Sequence, residues 1–335
     1  MQSLFYGSGF LISALTLWGF YLGEAWTFTG FFILFGVVSG LDLLKPNFKI
    51  QASLTKSPLS DFWLLISPIY LTFSLFYSGY LFLHSTSTVE KWGLVLSEGT
   101  LLGALGITIA HELIHRSEKW QRALGVWNLQ LVHFGHWGVE HVFGHHKNVA
   151  TPLDSATARL NQNLYQFWIQ NYFGGFKSAW EFEAQRSKSL WQNRIIHYLT
   201  FSVVLIAAVF FMGSYQALFF WFFVSFVATV LLLSVDYIEH YGLLRQQKEN
   251  GLYEPVKPQH SWDSGSFFTN VILLNLGLHT HHHLKARLPF QQLQANPESR
   301  QMPYGYSVMV ALAFVPPLYF KLMNPKILNT ETRSL

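Results

Sequence analysis

The sequence predicts an all-α membrane protein, with six transmembrane helices under a cytoplasmic histidine-rich cap. Three observations carry that expectation. Only 12% of the 335 residues are charged and the mean hydropathy is +0.24, whereas a soluble domain averages about 25% charged residues. Apolar runs close to the roughly 20 residues a spanning helix needs recur along the chain. The 15 histidines fall in knots rather than singly, and a buried imidazole needs a partner.

Composition also excludes several classes. There is no cysteine, hence no disulfide, thiolate ligand or iron–sulfur cluster. The net charge of +4 is modest and the basic residues form no stripe, so nucleic acid is not an expected partner. No Lys or Arg precedes the first apolar run, and a cleaved signal peptide is not expected.

In chain order, residues 5–22 and 28–44 are the first two spans, joined by a tight turn. Residues 62–83 make the third, and 92–113 the fourth, which runs into His111. After a polar stretch, 198–212 and 217–238 form an antiparallel pair. The cap is drawn from 114–197 and 239–335, so that residues 1–335 make one domain. Within the second cap segment, residues 308–322 are apolar but carry Pro316 and Pro317, which predicts a kinked, interfacial or re-entrant piece. Six spans put both termini on one side. Every Lys and Arg except Lys91 lies on that side as well, which makes it cytoplasmic by the positive-inside rule. All the histidine knots fall there too.

The knots carry the chemistry. His111 and His115 stand at i and i+4, on one face of a helix. The second knot holds His141, His145 and His146; His240 ends the last span; His279, His282 and His283 supply i, i+3 and i+4. One metal takes four to six ligands, so these nine imidazoles imply two metals, a di-metal cap. An all-nitrogen shell suits several transition metals, iron among them. His111-Glu-Leu-Ile-His115 also matches a zinc-protease string, but that reading leaves the other knots without a role. Glu112, Glu140 and Glu239 each adjoin a ligand candidate and are placed to accept the second ring proton, or else are helix-end carboxylates. His281 points off the ligand face. His136 is the outlying histidine most apt to touch the site, while His84, His133, His197 and His260 are expected to be structural.

Four strings then carry a resemblance: HELIHR, EHVFGHHKNVATPLDSATAR, DYIEHYGLLR and SWDSGSFFTNVILLNLGLHTHHH. Together with the downstream PYGYSVMVALAFVPPLYFKLMNP, they resemble the signature segments of the integral-membrane alkane 1-monooxygenases (AlkB type), within the membrane fatty-acid desaturase and hydroxylase superfamily. The resemblance runs from about residue 103 to residue 325. It implies a bacterial inner-membrane enzyme with two non-haem iron ions held by the same nine histidines. It further implies hydroxylation of the terminal methyl of n-alkanes to primary alcohols, with O₂ and electrons from rubredoxin and its NAD(P)H-dependent reductase. The chain departs from the family's pattern at Asp236, Gly277, Leu278 and His281, changes that touch the surroundings of the metals and hence the choice of substrate.

An apolar substrate must reach the metals from lipid. Trp18, Trp26, Phe62, Trp63 and Phe76 are candidates to line its channel, or simply to pack and face lipid. Lys119, Arg122, Lys285 and Arg287 are candidates for docking an acidic electron carrier, or for ordinary positive-inside topology. Two alternatives remain at this level. One is a superfamily hydroxylase or desaturase acting on acyl lipids, aromatic methyls or another hydrophobe. The other is a metal transporter, which would place ionisable groups inside the spans.

Overall fold

The computed structural model describes residues 7–44, 58–211 and 215–331. The chain begins with α1 (Ser8–Leu22), which stops at Gly23; there φ is 73° and the amide donates to Gly19 O at 3.1 Å. A positive φ is open to glycine at little cost, and the chain turns at once into α2 (Glu24–Leu44). α3 (Pro58–His84) opens on proline, whose missing N–H costs nothing in the first turn. Ser87 caps α4 (Thr88–Ile114) by accepting from Glu90 N at 3.3 Å.

α5 (Lys119–Gln130) leads into α6, residues 137–148. α7 (Leu164–Arg186) starts from Asn163, which accepts from Gln166 N at 2.9 Å. α8 (Arg194–Phe211) and α9 (Tyr215–His240) follow. The remainder is β1 (Trp262–Asp263), α10 (Phe267–Ile272), α11 (His279–Leu284), β2 (Arg300–Gln301), α12 (Tyr306–Ala313) and α13 (Pro316–Glu331). β1 and β2 pair in parallel, Trp262 opposite Arg300; this two-residue ladder is a small departure from an all-α chain.

Among the described residues, five helices, α2, α3, α4, α8 and α9, are long and apolar enough to cross a membrane, and six if α12 and α13 count as one span. That pair is bent by 120°, the break expected at Pro316 and Pro317. The expected first span, 5–22, is described from residue 8 as the 15-residue apolar helix α1, which rises about 22 Å; residues 5 and 6 lie outside the described residues.

α4 is the central helix, with 89% of its most apolar stretch buried. Small residues make this possible: a Cβ on Gly103 would sit 2.8 Å from Ala228 Cα, so α4 and α9 touch backbone to backbone there. α5 was expected in the cap. Instead it runs back along α3, where Asn128 Nδ2 donates to Ser67 Oγ and Trp127 Nε1 to Thr72 Oγ1, both at 2.9 Å. At its tip Trp221 Nε1 of α9 donates to Leu131 O at 2.6 Å, and Gln130 Nε2 to Tyr198 O at 2.9 Å. The Trp221 bond supplies a partner of the kind that irregular backbone inside a helix bundle requires. Glu183 joins α7 to α8 through Arg194 (2.5 Å) and also pairs with Arg186 of its own helix (2.7 Å). Burial raises its carboxyl, but hydrogen bonds from both arginines pull it down to about 2.

Candidate metal centre

The four histidine segments meet at one place, where α4, α6, α9 and α11 end or begin. Two groups form there: His111, His115, His141, His146 and His282 in one, and His145, His240, His279 and His283 in the other. Within each group one ligand atom per ring lies within 4.8 Å of all the others. In the five-membered group the Nε2–Nε2 separations are 3.0 Å for His111–His282, 3.0 Å for His282–His146 and 3.1 Å for His146–His141. In the four-membered group they are 3.3 Å for His145–His283, 2.9 Å for His283–His279 and 3.1 Å for His279–His240.

The local conformation explains who joins whom. α4 is regular at its end, so His111 and His115, four residues apart, face the same way. Residues Glu140–His145 form a π-helical turn, which brings i and i+5 together. His141 therefore pairs with His146, and His145 turns to the other group. On regular α11, His279 and His283 share a group while His282 reaches across.

These residues fit metal ions. An imidazole ring carries two nitrogens, and here every Nε2 of the nine except that of His115 meets one or two others near 3 Å, more contacts than the available protons satisfy. Ligand nitrogens at about 2.1 Å from a common ion and at right angles to each other are about 3.0 Å apart. Moreover, among the described residues His115 Nε2 is buried with no hydrogen-bond partner, a cost that coordination removes. Burial, and then neighbouring imidazoles, hold His141, His146, His279, His282 and His283 well below the usual histidine range, the neutral form a ligand needs. His145 differs. Burial lowers it as well, but Asp154, with Oδ2 3.0 Å from Nδ1, brings it up to about 9.

The neighbours named from sequence divide. Glu239 lies in the layer behind the centre, with Oε1 3.2 Å from His279 Nδ1 and accepting from Tyr306 OH at 2.7 Å. Asp236 accepts from Asn171 Nδ2 at 2.8 Å beside the cavity below the imidazole groups. Glu140 is buried next to them, its carboxyl raised well above the ordinary range by burial. Glu112 is not on an imidazole: it takes Arg116 at 2.7 Å and the Phe290 amide at 3.2 Å. His136 packs away from both groups, 4.6 Å from Phe134 and 5.3 Å from Phe176 by ring centres. His281 accepts from Gln294 N at 2.9 Å, off the ligand face. Sequence reasoning missed Asp154, although it stands in the ATPLDSATAR string, and it missed Tyr306. The departures at Gly277 and Leu278 are structural. A Cβ on Gly277 would lie 2.7 Å from Ser264 O, and Leu278 is buried in the core with Phe290 and Leu293.

Below the imidazole groups is a narrow apolar cavity of about 60 Å³ between α2, α4, α9 and α12, reaching His111, His141 and His279. π-helical turns supply part of its wall: Leu34 and Phe35 from one, Gly103 and Ala104 from another, His141 from the third. Such turns recur at functional sites. Trp18, Trp26, Phe62 and Phe76 are instead exposed on the outside of the bundle, and Trp63 stacks on Phe10 at 4.6 Å.

A membrane helix bundle whose centre is two clusters of imidazoles matches a defined class. Residues 90–312 match the family model described as fatty acid desaturase, and the chain belongs to that family. Within it the chain groups with the alkane 1-monooxygenases. It is 34% identical over 330 residues to alkane 1-monooxygenase 2 of Pseudomonas aeruginosa, covering 91% of this chain and 85% of that one. It is 41% identical over 243 residues to alkane 1-monooxygenase 1 of the same organism, covering 71% of this chain and 64% of that relative's length. A more distant relative, the xylene/toluene monooxygenase hydroxylase component XylM of Pseudomonas putida, is 26% identical over 341 residues, covering 96% and 88%.

Proposed function

We propose that this chain is a membrane di-iron monooxygenase that converts the terminal methyl of n-alkanes to primary alcohols. O₂, two electrons and two protons are consumed per turnover, with one oxygen atom entering the alcohol and the other leaving as water. The observation that carries the reading is the pair of imidazole groups at the head of an apolar cavity. The two groups would hold one iron each, and the irons would supply the oxidising power an unactivated C–H bond demands.

The protein's own contribution is placement. Leu34, Phe35, Leu232 and Val310 line a cavity that takes an alkyl chain end-on and excludes water. Asp154 fixes the orientation of His145 by a hydrogen bond from behind, and the Glu239 carboxylate lies 3.2 Å behind His279 Nδ1. Rubredoxin, reduced by an NAD(P)H-dependent reductase, is the proposed electron donor. Its docking face would be cytoplasmic, where Lys119, Lys285 and Arg287 are exposed, whereas Arg122 is tied to Arg116 O and Ser117 O. The reading includes a single domain over residues 1–335, placed in the bacterial inner membrane with both termini and the metals on the cytoplasmic side.

Iron-loaded protein in lipid nanodiscs, given rubredoxin, reductase, NADH and octane, is expected to yield 1-octanol. Formation of an alkene without alcohol would overturn the reading. The likeness to XylM supports one second reading, an aromatic methyl as substrate. Preferential turnover of p-xylene over octane in the same assay would favour it.

A further inference from the structure

A second chamber lies along residues 218–233 of α9, short of the end that carries His240. It measures about 750 Å³, within the range of about 300–1,000 Å³ typical of small-molecule sites. His133 and Phe134 at the tip of the α5 hairpin, Trp168 and Tyr172 of α7, and Trp221 and Ser225 of α9 form its wall. It shares no lining residue with the cavity under the metals. Trp221 is about 28 Å along α9 from His240, so the chamber lies at bundle depth, next to the outward apolar face of α8.

His133 gives this chamber a specific chemistry. Its backbone is left-handed, with φ at 56°, a conformation that non-glycine residues keep mainly where surroundings impose it. The ring packs on Trp221 at 4.4 Å. Among the described residues neither ring nitrogen has a hydrogen-bond partner, and Nδ1 is buried. Ser225, one turn along α9 from Trp221 and on the same face, likewise has a buried hydroxyl with no partner. No Lys, Arg, Asp or Glu is among the described lining residues, so a charged head would be left unpaired.

We propose that this chamber binds a linear primary alcohol, its chain along the aromatic wall and its hydroxyl at the His133 imidazole. The apolar lining recognises the chain, and a neutral imidazole can donate to or accept from a hydroxyl. That this alcohol is the enzyme's own product rests on the hydroxylation proposed above; the chemistry of the chamber does not.

The test uses full-length, metal-loaded protein in nanodiscs, without reductant, and three photoreactive probes with the same mid-chain diazirine: a dodecanol, a dodecane and a phosphatidylcholine. The dodecanol is expected to label peptides spanning residues 165–173 and 218–233, and unlabelled dodecanol to compete it away. Replacing His133 by Leu should lower alcohol labelling about fivefold, to the level of the dodecane, the effect of one neutral hydrogen bond. His133→Asn, which tolerates the left-handed backbone and keeps a polar group, should retain most of it. Ser225→Phe, on regular helix, should fill the chamber and suppress both probes; metal content and thermal unfolding report that each variant is folded. Equal labelling by dodecane and dodecanol, or labelling by phosphatidylcholine that dodecanol does not displace, would overturn the proposal. Labelling that persists in a protein found to make no alcohol from alkanes would sink the hydroxylase reading and leave this one standing.

Discussion

The two imidazole groups lie side by side and share two segments, α6 and α11, yet they are built differently. The five-membered group is nitrogen-rich and draws on α4, α6 and α11. The four-membered group has fewer rings but carboxylates behind them, Asp154 at His145 and Glu239 at His279. A carboxylate on the far ring nitrogen fixes orientation and makes an imidazole a stronger donor. The difference teaches that ligand number and ligand quality are balanced against each other: the group with four rings is the one reinforced from outside.

The largest expected effect comes from the reinforced group, because it has no ring to spare. His240→Ala leaves three imidazoles there. It should remove about half of the bound iron, since each group is a separate site whose affinity depends on its full ligand set, and abolish alcohol formation. Metal analysis beside product analysis checks both; full iron and normal turnover would remove His240 from the centre. His146→Ala is the matching change in the other group and leaves four. It should keep more iron than His240→Ala when the two are loaded and dialysed side by side. Equal losses would mean that the groups are not distinguished by ligand number.

A finer comparison sets two carboxylates next to ligand knots against each other. Asp154 touches a ring and Glu112 does not. Asp154→Asn should weaken iron binding at the four-membered group about 10–100-fold, read by competition with a chelator. Glu112→Gln should leave iron affinity unchanged. It should lower stability by about 1.5–3 kcal/mol, the worth of a hydrogen bond to a charged group, because the half-buried Arg116 loses the charge of its 2.7 Å partner. Loss of iron affinity in the Glu112 variant at unchanged stability would reverse these roles.

Much of this was legible in the sequence, and the limits have physical causes. Apolar length and the i, i+4 spacing are local signals, and they picked out the long helices and all nine clustered histidines. The partition between groups was not legible: it depends on the π-helical turn at Glu140–His145, one extra residue per turn that no spacing rule shows. Asp154 was missed because its partner is nine residues away around a turn, although the string holding it was already conspicuous. The hairpin of α5 was read as cap because Lys119, Gln121, Arg122 and Asn128 make it too polar for a span. Its place depends on partners contributed by α3 and α9. The second chamber is assembled from three helices and a hairpin tip, and no contiguous stretch announces it.

The smallest effect tests the edge of the centre. His281 stands within two residues of His279, His282 and His283, so crowding alone would enlist it. On a regular helix, however, its neighbours at −2, +1 and +2 point to other faces, and its Nδ1 is engaged by the Gln294 amide at 2.9 Å, away from both groups. His281→Ala should therefore leave iron content unchanged and shift stability by no more than about 0.5–1.5 kcal/mol, the net worth of one hydrogen bond. A drop in iron in this variant alone would mean that α11 turns in the loaded protein. His282 and His283 would then have to be reassigned between the groups, and the contrast between five rings and four would fall with them.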